Sequence, residues 1–196
     1  MYYISFMATV TAARQLTAEE YSRLDEVSGF RDELIEGERV LSPMPKTAHL
    51  LVLDQLTDIL GPQLIKFSPT ERLRIMREGG WHFRVEPSGA ESIPGPDLMI
   101  VRDEDARQAA RNDGWYRGIP FLVVEVISPS ERKSRRLQKI GLYLEMGVPH
   151  VVEVDYQRRI ISVHTPEGES ATVYRRGDQI TTPFRASVDE IFAILD

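Results

Sequence analysis

Residues 93–101 read IPGPDLMIV and residues 121–127 read FLVVEVI, and each of these short apolar segments contains one acid. Their length and apolar composition predict buried strands. Asp97 and Glu125 are therefore expected among apolar neighbours, where a carboxylate is costly unless it is paired, hydrogen-bonded or bound to a cation. We predict that the two strands bring these acids to one site.

The segment that follows Glu125 predicts a helix with a basic flank. Residues 131–146 show helical periodicity, and Gly147 directly after them is a common C-terminal signal. The predicted apolar side consists of Leu137, Ile140 and Leu144. A continuous flank, at spacings of four, three and four, consists of Arg132, Arg136, Lys139 and Tyr143. Such a flank attracts phosphates, although a solvated helix face is the commoner use of clustered charges.

The two strand acids and the helix lysine suit one reaction. Phosphodiester hydrolysis needs an activated water and neutralisation of the charge that develops on the phosphate, and oxygen-bound Mg²⁺ or Mn²⁺ supplies both. Asp97 and Glu125 are the predicted metal ligands, and Lys139 is the predicted catalytic cation. For Asp97, at its strand start, a purely structural carboxylate is at least as good an interpretation, whereas the apolar neighbours of Glu125 favour a functional role.

The composition limits the class of protein and its partners. In a chain of 196 residues we expect a flexible tail over 1–15 and a single domain over 16–196, with Met7 as an alternative translation start. The absence of cysteine excludes disulfides and thiolate metal sites and fits a reducing cytoplasm. No apolar run is long enough to span a membrane. The net charge of −6 indicates that any DNA contact is local.

The rest of the chain alternates between helical and strand patterns. The order helix, strands, helix, strands predicts a mixed β-sheet with helices on its faces, an α/β (α+β) fold. His49, at the start of the first long helix, is a weaker candidate for a ligand or base, and Glu153 is expected on a solvent-facing strand or a hairpin edge. The other expected elements are helix 18–26, a hairpin around Gly37, helix 48–64, strands 73–76 and 81–85, a hairpin around 157–158, strand 171–174 and helix 188–195.

Several segments together mark a resemblance to a known family. They are LTAEEY (16–21), DELIEGERVLSPMP (32–45), PDLMIV (96–101), LVVEVISPS (122–130) and KIGLYLEMGVPHVVEVD (139–155). From Leu16 to about Thr165, the chain resembles the bacterial Uma-type family of putative restriction endonucleases, in the PD-(D/E)XK nuclease superfamily. The resemblance implies a restriction-endonuclease-like core with an additional N-terminal helix and hairpin and additional C-terminal strands.

The resemblance also implies roles for individual residues. Asp97 and Glu125 match the metal ligands, and Glu33 in DELIEGE matches a further acid of the site. The superfamily lysine normally follows the glutamate by two positions, where this chain has Ile127. The family resemblance instead places the lysine at Lys139.

These observations predict an endonuclease that uses Mg²⁺ or Mn²⁺ and acts on DNA as a cytoplasmic homodimer, since cutting both strands of a duplex favours two-fold symmetry. A second hypothesis is a non-catalytic nucleic-acid-binding or interaction module that keeps the nuclease fold and binds through Arg132, Arg136 and Lys139. A third is a dimeric scaffold that needs no metal. The acidic net charge favours the second and third hypotheses, and the acid pair with its lysine favours the first.

Overall fold

The structure is a computed structural model that describes residues 14–128 and 132–196, so most of the predicted tail lies outside the described residues. The strands are β1 (Phe30–Ile35), β2 (Glu38–Pro43), β3 (Leu73–Arg77), β4 (Phe83–Val85), β5 (Ala90–Ser92), β6 (Leu98–Arg102), β7 (Leu122–Val126), β8 (Val151–Asp155), β9 (Ile160–His164), β10 (Thr172–Tyr174), β11 (Gln179–Ile180) and β12 (Ala186–Ser187). The helices are α1 (Ala18–Ser22), α2 (Thr47–Leu60), α3 (Leu64–Phe67), α4 (Asp103–Arg111), α5 (Lys133–Glu145) and α6 (Val188–Phe192).

A six-stranded mixed sheet forms the centre of the fold, in the order β10-β9-β8-β7-β6-β3. β7 and β8 are parallel, whereas the other neighbouring strands are antiparallel. α5 lies in the crossover that a parallel pair requires. This architecture confirms the predicted mixed sheet flanked by helices.

Apolar side chains cover both faces of the sheet. On one face, α2 and α6 pack against the strands. On the other face, α5 packs through Ile140 near Trp81. β7 is buried along its whole length, as expected for a strand covered on both faces. The side of α2 that is turned toward the core comprises Val52, Leu53, Leu56 and Leu60.

The β1–β2 hairpin forms a separate two-stranded sheet. Its turn is made by Glu36 and Gly37, whose φ angles of 50° and 79° are typical of a type I′ turn. Leu34 and Ile93 exchange backbone hydrogen bonds of 3.3 and 2.7 Å. These bonds attach the hairpin to the segment that leads into β6.

The helix and strand boundaries follow the predictions with a few differences. α1 has the predicted capping box of Thr17 and Glu20 but ends at Ser22. α2 ends at Leu60, because Gly61–Gln63 form a 3₁₀ turn that contains a proline. The structure adds α3, β5, β11 and β12, which are two to four residues long and are too short for periodicity to predict.

Leu56→Ala is expected to lower the free energy of unfolding by about 2–5 kcal/mol, because it leaves a cavity between α2 and the sheet. Leu51→Ala, on the exposed side of the same helix, is the matched control and is expected to cost about 0.5 kcal/mol or less. Urea unfolding followed by circular dichroism measures both. Equal losses would contradict the packing of α2.

Candidate active site

Strand pairing brings Asp97 and Glu125 together. Asp97 directly precedes Leu98, which pairs with Val124 across β6 and β7, so Asp97 lies opposite Glu125. Both acids are buried, with 1% and 6% of their surface exposed. Asp97 Oδ2 accepts a 2.7 Å hydrogen bond from the backbone amide of Val126. The register of two short strands thus places both acids that the sequence analysis singled out in one site.

α5 brings an ammonium and a phenol to the same acids. Lys139 Nζ lies 3.0 Å from Glu125 Oε1 and 3.1 Å from Glu33 Oε1, so it bridges two carboxylates. One turn further along the helix, the Tyr143 hydroxyl donates a 2.7 Å hydrogen bond to Glu125 Oε1. The i, i+4 spacing places both side chains on the side of α5 that covers β7.

The β1–β2 hairpin contributes an acid and a guanidinium. Glu33 Oε1 accepts a 2.8 Å hydrogen bond from the backbone amide of Gly95, in addition to its contact with Lys139. Arg31 donates from Nη1 to Asp97 Oδ1 and from Nη2 to the Gly95 carbonyl. The hairpin is therefore joined to the β6 end of the site by charged hydrogen bonds.

His49, which the sequence analysis ranks as a weaker candidate, also lies in the site. It is 3% exposed, and its Nε2 lies 3.3 Å from Asp97 Oδ1. This approach lacks hydrogen-bond geometry, so Nε2 has no hydrogen-bond partner among the described residues. The imidazole is therefore one of the polar groups that surround the Asp97 carboxylate.

The surrounding charges control the protonation of the two strand acids. Burial by itself raises the pKa of Asp97, but the neighbouring His49 and Arg31 outweigh burial and bring that pKa to about 2. Burial raises the pKa of Glu125 to about 7, because the opposing effect of Lys139 is only partial and Asp97 and Glu33 add repulsion. Asp97 is therefore ionised at neutral pH. For Glu125, burial and the neighbouring acids oppose ionisation.

These side chains line a cavity of about 340 Å³. Residues 40–43 of β2 form part of its wall, and Arg132 and Arg135 contribute positive charge. Arg135 also pairs with Glu38 of the hairpin at 3.2 Å. The cavity thus combines buried carboxylates with arginines, a combination that suits a phosphate held beside a cation.

The carboxylate oxygens of Asp97 and Glu125 are of the type that a hard divalent cation binds. Among the residues that the structure describes, no group of three His, Asp or Glu side chains is arranged to hold a metal. Mg²⁺ commonly uses only one or two protein carboxylates and completes its coordination with water and substrate phosphate. The opposed carboxylates of Asp97 and Glu125 meet that smaller requirement, and both carboxylates contact the cavity.

Arg136 and Glu153 form a second buried ion cluster. The guanidinium of Arg136 contacts Glu153, whose Oε2 lies 3.4 Å from His164 Nε2. The prediction that Glu153 faces solvent is wrong, because this side of β8 is covered by α5 and Glu153 is 8% exposed. Arg136 therefore directs its charge at β8, in contrast to the expected phosphate-facing flank.

The buried side of α5 also differs from the predicted one. Leu137, expected on the apolar side, is 48% exposed. Lys139 and Tyr143 are buried instead, together with Ile140. The helix turns its polar flank toward the strand acids, because these acids need donors and counter-charges.

Sequence reasoning missed Arg31 as a member of the site. A signal was present, since residues two apart on a strand share a face. The resemblance had marked Glu33, and Arg31 lies two positions before it on β1. The sequence analysis places Tyr143 on the correct flank of α5 but assigns it no role.

The six-stranded mixed sheet flanked by helices is the fold predicted for a restriction-endonuclease-like core. The sequence profile of the Uma2 family, described as "Putative restriction endonuclease", matches residues 18–186, and the chain belongs to this family. A crystal structure of a "putative nuclease belonging to DUF820" from Anabaena variabilis superposes with a TM-score of 0.72 at 20% sequence identity. The match covers 91% of this chain and 98% of that chain. This likeness confirms the predicted fold.

No curated protein matches the sequence significantly. Within residues 14–128 and 132–196, no helix is both long enough and apolar enough to cross a membrane.

Glu153→Gln is expected to lower the free energy of unfolding at pH 7 by about 2 kcal/mol, because Arg136 keeps a buried charge without its counter-ion. Burial opposes ionisation of Glu153, but His164 and Arg136 hold its pKa below the ordinary 4.5. Because its pKa is lowered in the folded protein, ionised Glu153 stabilises the fold above about pH 4.5, and this stabilisation is lost as the pH falls. The difference between wild type and variant is therefore expected to shrink below that pH.

Urea unfolding at pH 7, 5 and 3.5 measures this difference. Asp54→Asn, which removes the acid of an exposed pair with Arg77, is the control and is expected to have little effect at any pH. A Glu153→Gln loss that is constant over the three pH values would contradict the assigned ion pair.

Proposed function

We propose that this chain is a divalent-metal-dependent endonuclease that hydrolyses phosphodiester bonds in DNA. The observation that carries the proposal is that Asp97 and Glu125 lie opposite each other on neighbouring strands, with the Lys139 ammonium 3.0 Å from Glu125. Membership of a family described as "Putative restriction endonuclease" supports it. Mg²⁺, with Mn²⁺ as a substitute, is the proposed cation, because the strand donors are carboxylate oxygens.

Each residue has a role that follows from its contacts. Asp97 and Glu125 would hold the cation from two strands. A divalent cation, when bound, neutralises the phosphate and lowers the pKa of water. Burial lowers the pKa of Lys139, but Glu125 and Glu33 outweigh burial and raise it above its ordinary value, so the side chain stays an ammonium beside the developing charge. Glu33 positions that ammonium, and Tyr143 fixes Glu125 Oε1.

The proposed DNA contact is local. Arg132 and Arg135 line the cavity and are the groups we assign to neighbouring phosphates. Arg136, which the sequence analysis included, is committed to Glu153. Because the chain carries a net charge of −6, DNA would be held at this basic patch only.

The proposal extends to the setting of the reaction. A two-fold symmetric homodimer would place two such cavities on the two strands of a duplex. A reducing cytoplasm agrees with a chain that has no cysteine. Residues 16–196 are proposed to act as one domain, of which the family profile covers 18–186.

A non-catalytic DNA-binding module is the second candidate, and one observation favours it. Arg31 pairs with Asp97, and Lys139 pairs with Glu33 and Glu125, so each acid has a cationic partner within the protein. Such a cluster can be buried without a metal. The two candidates differ in whether DNA is cut and in whether DNA binding depends on the acids.

Asp97→Asn and Glu125→Gln are each expected to reduce plasmid nicking in Mg²⁺ by about 100-fold or more, because each removes a ligand charge from the cation site. Calorimetric titration of Mg²⁺ and Mn²⁺ into the same samples is expected to show weakened binding. Asp54→Asn, an exposed acid outside the cavity, is the control. Full nicking activity in both site variants, with wild-type stability, would exclude these acids as the catalytic pair.

Arg132→Met is expected to weaken DNA binding and to lower the slope of log affinity against log salt by about one, because it removes one phosphate contact. Arg158→Met, which removes an exposed arginine outside the cavity, is the control. Fluorescence anisotropy of a labelled duplex at several salt concentrations measures both. Binding that survives Asp97→Asn, together with no nicking by wild type, would favour the non-catalytic module.

A further inference from the structure

We propose that Arg31 is the resident counter-ion of the cation site: its guanidinium pairs with Asp97 before a metal binds, and it moves to the substrate phosphate when the metal displaces it. This inference rests on the proposed function and adds a residue to that site. It makes Arg31 both a competitor of the cation and a contact of the phosphate.

Asp97 has little room for a further ligand while Arg31 is in place. Oδ1 receives the Arg31 guanidinium and also lies 3.3 Å from His49 Nε2. Oδ2 accepts the hydrogen bond from the Val126 amide. A cation that approaches Asp97 from the cavity therefore competes with Arg31, whose side chain lines the same cavity.

The charge balance among the directly paired groups supports the displacement. Metal binding requires Glu125 to be ionised, and with Asp97 and Glu33 also ionised the paired cations Arg31 and Lys139 leave one negative charge uncompensated. A divalent cation converts this into one excess positive charge, which a phosphodiester with its single negative charge would match. Two cations held on one buried carboxylate repel each other strongly, so the guanidinium is expected to leave Asp97 and face the incoming phosphate.

Of the two cations that contact the buried acids of the site, Arg31 is the more exposed. The Lys139 side chain is 6% exposed and lies between two carboxylates, whereas the Arg31 side chain is 19% exposed. Arg31 also lies on a hairpin outside the main sheet and lines a second groove beside that hairpin. A planar guanidinium suits the two oxygens of a phosphate, so the same fork that now bonds Asp97 and the Gly95 carbonyl can bond the substrate.

The first test is calorimetric titration of Mn²⁺ into wild type, Arg31→Met and Arg39→Met. Arg31→Met is expected to bind Mn²⁺ about tenfold more tightly than wild type, because no guanidinium has to be displaced. Arg39→Met is the matched control, since it makes the same change on the same hairpin at an arginine that pairs with Asp32. Its Mn²⁺ affinity is expected to equal that of wild type.

Arg31→Lys keeps the proposal testable if Arg31→Met fails to fold. Lysine keeps the charge beside Asp97 but lacks the fork, so it is a weaker competitor and is expected to give about threefold tighter Mn²⁺ binding. Unchanged or weaker Mn²⁺ binding in the folded Arg31 variants would overturn the proposal and leave the proposed function standing. Wild-type protein that binds no metal would overturn both.

The second test measures the phosphate contact without cleavage. The affinity for a phosphorothioate oligonucleotide, followed by fluorescence anisotropy, is expected to rise about tenfold with Mn²⁺ in wild type and in Arg39→Met. In Arg31→Met and Arg31→Lys this gain is expected to be lost or much reduced. A full Mn²⁺-dependent gain in the Arg31 variants would overturn the assignment of Arg31 to the phosphate.

Discussion

Three carboxylates meet beneath the β1–β2 hairpin, and the arrangement of the surrounding elements follows from the need to neutralise them. The β6–β7 register opposes Asp97 to Glu125, and Glu33 faces them from the hairpin. Carboxylates this deeply buried are tolerated only with counter-charges and hydrogen bonds. Those come from elements outside the sheet, because α5 supplies Lys139 and the hairpin supplies Arg31. The same contacts that balance the charge therefore fix the hairpin and α5 in place.

The charge pattern continues along the sheet to the next strand. Glu125 pairs in register with Glu153 across the parallel β7 and β8, so the two acids lie side by side on the face that α5 covers. Arg136 of α5 contacts Glu153. Lys139, three residues later on the same helix, contacts Glu125. A single helix thus supplies counter-charges to acids on two strands, and the spacing of its cations matches the distance between neighbouring strands. This explains why a basic helical flank is directed inward here, whereas such flanks usually face solvent.

The sequence predicted the parts of the site that depend on local pattern. Asp97 and Glu125 interrupt apolar runs, and Lys139 lies on a helix that directly follows β7, so both strand acids and the lysine were found together. Arg31 and the burial of Glu153 depend on contacts between distant segments, such as the 66 residues that separate Arg31 from Asp97. An isolated acid or arginine in a short strand has the same local pattern whether it faces water or a buried counter-ion. Local periodicity therefore could not distinguish the two cases.

The internal ion pairs have opposite effects on folding and on cation binding. If the acids had no partners in the protein, their repulsion would make burial depend on a bound metal, as in small domains that fold only with their ion. Pairing Asp97 with Arg31, and Glu33 and Glu125 with Lys139, removes that dependence. A cation that replaces a protein partner must first break one of these pairs, so its binding free energy is reduced by the free energy of that pair. Under the proposed function, a phosphate that meets the displaced guanidinium would recover part of this cost, so cation and substrate would bind more tightly together than separately.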